Sequence, residues 1–105
     1  MSQPNHQGTI PLHRILRRRR QELHLNQAHV AEALDVSPEA IGLWERGRRR
    51  MDLEKVPRIA QVLHLQHCDL CRMAIYEFHP TVYAALFGHQ APCFPRSTDS
   101  LELVL

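Results

Sequence analysis

Three groups of side chains in this sequence could do chemistry. Arginine forms two blocks, "RRRR" at 17–20 and "RGRRR" at 46–50, and guanidinium clusters of that density neutralise polyanions, phosphates above all. The run "HLQHCDLC" sets His64, His67, Cys68 and Cys71 at three- and four-residue intervals, superficially a zinc ligand set. Eight histidines are spread along the chain, each able to trade a proton near neutral pH.

The last two groups weaken on inspection. The histidines are scattered, no Ser, Cys or carboxylate stands beside one in a nucleophile setting, and no glycine-rich loop could cradle a phosphate. An enzyme is not expected, and no cofactor is implied. For the zinc-like run, a helix ending at His64 and another starting at Cys68 leave the four side chains no reason to converge, and the two cysteines suit small buried positions. No metal is expected. Arginine runs also clothe ordinary solvated helix faces, so the arginines must be weighed with the elements that present them. Their distribution is uneven: residues 1–50 hold nine Arg against five acidic residues, a net +4, whereas 51–105 hold four Lys or Arg against six, a net −2.

With 105 residues, 44% hydrophobic and 23% charged, the chain suits one small folded domain. Cys68, Cys71 and Cys93 are an odd number and a poor disulfide framework, which fits a reducing compartment. "MSQPNHQGTI" lacks the apolar run of a signal peptide, and no stretch is apolar for long enough to span a bilayer. The expectation is a cytoplasmic protein without membrane contact.

Periodicity and capping predict all-α structure with five or six helices. Residues 1–9 read as a disordered tail. Leu12, Ile15, Leu16 and Leu23 share one face of a helix over 11–23, with Pro11 in its first turn. Asn26 caps a second helix carrying Val30, Ala31 and Leu34 and ending near Asp35. Ser37 and Pro38 restart a third almost at once, with Ile41 and Trp44 inward and Gly47 as its stop. A fourth spans 53–63 behind Asp52, with Val56, Ile59, Ala60 and Leu63 inward; Pro57, about a turn inside, is its blemish. A fifth runs over 68–78 and a sixth starts at Pro80 and ends before Gly88. The tail 89–105 reads as loop, and its closing "LELVL" as either a short pairing strand or no ordered structure.

The spacing in "QAHVAEALDVSPEAIGLWER" suits a helix-turn-helix. Apolar residues at 30, 31, 34, 36, 41 and 44 bury two short helices against each other and a third, Ala31 is small where they cross, and Asp35 tolerates the left-handed turn. The stretch 12–70, through "LNQAHVAEALDVS", "WERGRRR" and "VPRIAQVLHL", resembles the helix-turn-helix domain of temperate-phage repressors and Cro proteins, the Xre family. Some phage repressors have a counterpart of Pro57.

That resemblance implies a lambda-repressor-like domain over 10–70 whose third helix enters the major groove of double-stranded DNA. It places Gln27, Arg48, Arg49 and Arg50 on phosphates, and Ser37, Pro38, Glu39, Ala40 and Leu43 against base edges. It also pairs Arg20 with Glu45, which makes one arginine of "RRRR" structural and leaves Arg17 for a phosphate. The chain departs from its relatives at the groove: Pro38 and Gly42 read nothing by hydrogen bonding, Glu39 can accept from a cytosine amino group, and Leu43 can touch a thymine methyl. Arg46 is the strong donor left, for base or phosphate. Each has a plainer reading: Glu39 suits a helix N-terminus, Leu43 suits a partner surface, and Trp44 suits the core.

Residues 71–88, "CRMAIYEFHPTVYAALF" and Gly88, form a helical extension that either completes the core or makes a dimer interface. The functional expectation is a sequence-specific regulator of transcription, a repressor that binds a palindromic operator as a homodimer. The competing expectation is a protein-interaction regulator on the same fold, such as an antitoxin or an antagonist of another regulator, with only weak or non-specific DNA binding.

Overall fold

Local signals set most of the helix boundaries. The computed structural model describes residues 10–98 and contains α1 (Leu12–Glu22), α2 (Gln27–Leu34), α3 (Pro38–Glu45), α4 (Val56–Val62), α5 (His67–Phe78) and α6 (Pro80–Phe87). The Asn26 side chain accepts from the His29 amide at 2.8 Å to open α2, and Ser37 Oγ accepts from the Ala40 amide at 3.2 Å to open α3. Pro11 offers no side-chain cap to α1. The Glu77 carboxylate reaches in from α5 instead and accepts from the Leu12 amide at 2.8 Å.

α1 to α4 end alike. His24, Asp35, Gly47 and His64 all have positive φ, between 57° and 72°, and in each case the next amide reaches a carbonyl five residues back, as Val36 does to Ala31 and Leu65 to Ala60. This left-handed turn satisfies carbonyls that the helix end would otherwise leave open.

The expected single helix over 53–63 is two pieces. Leu53–Lys55 is a 3-10 turn capped by Asp52, and α4 proper begins at Val56. Pro57 therefore stands in the first turn of α4, where its missing N–H has no partner to lose.

α1 to α5 share one core, with Leu12, Ile15, Ile41, Val56, Ile59 and Leu63 almost fully enclosed. Leu70, Met73 and Ala74 of α5 lie in the same core, so the domain boundary expected at residue 70 falls inside a helix both halves of which are packed. α6 is held on α5 by an aromatic stack, Tyr76 edge-on to Tyr83 and Tyr83 tilted against Phe87, each pair with centroids 4.9 Å apart. Its far side leaves Val82 and Leu86 exposed, and Phe87, partly exposed at the edge of the α5 contact, lies under the Arg72 guanidinium at 4.6 Å from its ring centroid.

The expected loop after residue 88 is anchored as far as residue 98. Tyr83 Oη donates to the Gln90 carbonyl at 2.8 Å, and Leu65 and Ser97 form an isolated antiparallel bridge. Arg96 grips Asp69 with Nε and Nη2 at 2.8 and 3.1 Å, and its backbone amide donates to the same carboxylate. The tail 1–9 and the segment "LELVL" lie outside the described residues.

The Arg96 side chain holds the Asp69 carboxyl below the ordinary carboxylate range, outweighing the opposing effect of burial. A folded-state pKa below the unfolded one contributes stability that is full above about pH 4 and is lost as pH falls through the folded value. Asp69→Asn should therefore melt below the native protein at neutral pH, with the difference shrinking in acid; parallel melting curves across pH 2–7, at any constant offset, would refute this role for the pair.

Candidate nucleic-acid interface

The end of α3 is tied to α1 by a buried ion pair. Arg20 Nε and Nη2 donate to the two oxygens of Glu45 at 2.6 and 3.0 Å, with the two side chains 12% and 2% exposed. Arg20 Nη1 also donates to the Leu25 carbonyl at 2.9 Å, and Gln27 Nε2 donates to Glu45 Oε1 at 3.0 Å. One carboxylate thus fixes α1, the start of α2 and the end of α3, and its lone pairs are well used, as a buried charge requires. Gln27, expected on a phosphate, turns one amide N–H inward to this network; its amide nitrogen carries a second.

At about 100° per residue, Pro38, Glu39, Gly42, Leu43 and Arg46 share one side of α3, and Ala40, Ile41, Trp44 and Glu45 the other. The side chains follow this division. Ile41 and Trp44 are core, and Pro38, Glu39 and Arg46 are exposed, with Leu43 half-buried; Gly42 lies on the outward side but is buried. Ala40 is the correction. It was expected to meet base edges, but it is only 8% exposed, because its register places it with the buried stripe. Ser37, at the mouth of the helix, spends an oxygen lone pair on its cap and keeps its hydroxyl hydrogen. Glu39 lies in the first turn of α3, where the helix dipole favours a carboxylate.

The two arginine blocks divide by job. In "RRRR", Arg17 and Arg18 are exposed, with Arg18 3.5 Å from Glu22 in an exposed i, i+4 pair. Arg19 is structural, as Arg20 is: its Nε donates to the Leu63 carbonyl at 2.8 Å and its Nη2 to Ser97 Oγ at 3.0 Å and the His64 carbonyl at 3.3 Å. It closes the end of α4 and pins the carboxyl-terminal segment. Sequence reasoning reserved one arginine for structure and missed this one, since its partners lie 44 and 78 residues away.

In the second block, Arg46, Arg48, Arg49 and Arg50 are all exposed, and among the described residues no ion pair joins them to a carboxylate. Arg50 lies over the Phe78 ring, 5.0 Å from its centroid, which orders the side chain without neutralising it. Gly47 makes the turn into this loop. Its φ is +72°, and a Cβ there would meet the His13 ring at 3.0 Å, while His13 Nδ1 sits 3.2 Å from the Glu45 carbonyl oxygen. Gly47→Ala should destabilise the fold by about 1–2 kcal/mol from the left-handed backbone alone, and more if the ring cannot yield. Equal stability in urea denaturation would show that neither constraint operates.

The zinc-like run straddles the connection from α4 to α5. Cys68 is exposed rather than buried as expected, and Cys71 is half-buried, its thiol pushed up by desolvation. Among the described residues no group of three or more His, Cys, Asp or Glu side chains is placed to hold a metal, and no helix is long and apolar enough to cross a membrane.

A tight left-handed turn between two short helices, a buried pair locking the second to a preceding helix, and unneutralised arginines at its far end together make a helix-turn-helix that ends in a cationic loop. A family model described as helix-turn-helix matches residues 16–70, just over half of the chain. The chain belongs to the helix-turn-helix family of the Xre/Cro type. The family is one of DNA-binding transcription regulators, and in this helix-turn-helix protein the matched residues run from the middle of α1 to the first turn of α5. No curated protein is similar enough to add to that finding.

Proposed function

We propose that this helix-turn-helix protein is a repressor that binds palindromic operator DNA as a homodimer and blocks a promoter. The observation that carries the reading is the contrast between the two arginine blocks: Arg19 and Arg20 are consumed by the fold, while Arg46, Arg48 and Arg49 are exposed beside the outward face of α3 with no carboxylate paired to them among the described residues. Held there, the loop arginines and Arg17 neutralise phosphates and set the register, Gln27 and Ser37 add neutral donors to the backbone, and Pro38, Glu39 and Leu43 with Arg46 face the bases. The exposed apolar side of α6, Val82 and Leu86, is the surface through which two copies pair, and pairing sets the spacing of two half-sites.

Fluorescence anisotropy tests this, with duplex from upstream of the protein's own gene and a shuffled duplex, each titrated across a salt series. A preference of ~10³ or more, the scale of specific readers, together with a dimer by sedimentation equilibrium, supports the repressor. Equal, weak and salt-sensitive binding to both, for the intended site and for a genomic library alike, favours the interaction module. The sparse donors on α3 and the apolar side of α6 would then be a protein-binding surface.

A further inference from the structure

The outward side of α3 has a gap at its centre. A Cβ on Gly42 would lie 3.2 Å from Nη1 of Arg46, 3.9 Å from its Cζ and 3.8 Å from Oε1 of Gln27. The Arg46 guanidinium is therefore folded back one turn along the helix and packs against Gly42, close enough that a methyl there would have to push it aside by a few tenths of an ångström. Residues four apart lie one above the other, and helical side chains lean toward the amino end, so this seat is within easy reach. A glycine inside a helix is unfavourable through its backbone entropy, and here its absent side chain has a use.

We infer that Gly42 is a positioning residue that seats the Arg46 guanidinium on the middle of the groove-facing surface, and that Arg46, so placed, reads a guanine in each half-site. The inference rests on the operator-binding reading above. The other side chains of that surface offer no strong donor: proline has none, ionised glutamate only accepts, and leucine is apolar. Guanine shows two acceptors, O6 and N7, to the major groove, and the planar fork of arginine meets both at once. A lysine in the same place would supply the charge without the fork.

The test begins with selection of bound duplexes from a randomised pool by the full chain, followed by titration of the selected duplex with its guanines changed one at a time to adenine or 7-deazaguanine. One guanine per half-site should lose about 5- to 150-fold on replacement, the range of a bidentate contact. Gly42→Ala should melt at the same or a higher temperature, since alanine is the better helix former and the atom it meets is the end of a flexible side chain. It should nevertheless lose part of the discrimination at that guanine while keeping the preferences elsewhere in the site, and Arg46→Lys, which removes the fork, should lose most of it. Undiminished discrimination in Gly42→Ala would overturn the inference. So would an Arg46→Ala variant that weakens all duplexes equally with a salt slope shallower by about one, the mark of a phosphate contact. Both outcomes leave operator binding standing. A native protein that selects no sequence at all would overturn the operator reading, and this inference with it.

Discussion

Arg20→Met should lower the unfolding free energy by about 3–5 kcal/mol, the usual result of leaving one member of a buried pair without its partner. For a domain of this size that is a fall in melting temperature of at least about 12 °C. The carboxylate left behind is only 2% exposed and, among the described residues, keeps just the Gln27 amide as a side-chain donor, while the Leu25 carbonyl loses its guanidinium contact. The penalty comes from desolvated charge, so removing the charge should relieve it: Arg20→Met with Glu45→Met should recover most of the loss. Urea denaturation of the single and double variants checks both. If Arg20→Met melts within a degree or two of the native protein, the Glu45 carboxylate is wetter than its burial indicates, and the pair does not hold α3 to α1.

Replacing Arg48, Arg49 and Arg50 together with alanine should weaken binding to every duplex and flatten the dependence of log K on log salt. Each phosphate contact contributes about 0.9 to that slope, so the three together account for up to about 2.7. Because the loop reads no bases on this account, the ratio of specific to non-specific affinity should change little. Arg50 should differ from its neighbours when replaced alone, since its removal also strips the Phe78 ring of its cation and uncovers an aromatic face on α5. An unchanged slope in the triple variant, measured by anisotropy between 50 and 300 mM salt, would take this loop out of the interface.

What could be read without coordinates was what depends on neighbours in sequence. Asn26, Ser37 and Asp52 announced caps because a cap bonds an amide two or three residues on, and Asp35 and Gly47 announced left-handed turns through their tolerance of positive φ. His24 and His64 make the same turn with no such signature; their conformation is imposed by helices that must change direction to reach the core. Ala40 falls on the buried side by a count around the helix that the sequence alone permits, whereas the groove-facing set implied by the resemblance ignores that register. Arg19 and Glu77 could not have been assigned at all. Each is one of several like charges on its surface, and what singles it out is an acceptor or donor more than 40 residues away. The resemblance found the Arg20 and Glu45 pair where spacing could not, since 25 residues separate them.

The carboxylate of Glu77 on the first amide of α1 makes the recognisable part of this molecule different from the part that stands alone. The family match covers 16–70, yet the helix that supplies Arg20 starts at Leu12, and the group closing that start sits seven residues past the end of the match. Leu12, Ile15, Met73 and Ala74, all within 3% of full burial, also lie outside it. A fragment trimmed to the matched residues would keep every side chain proposed to face DNA and still hold α1 by an open, uncapped end over a core missing two of its walls. Anyone grafting this reading head onto another protein should therefore carry the segment from residue 10 through α5, since autonomy here belongs to the closed circuit from α1 round to α5 rather than to the motif it displays.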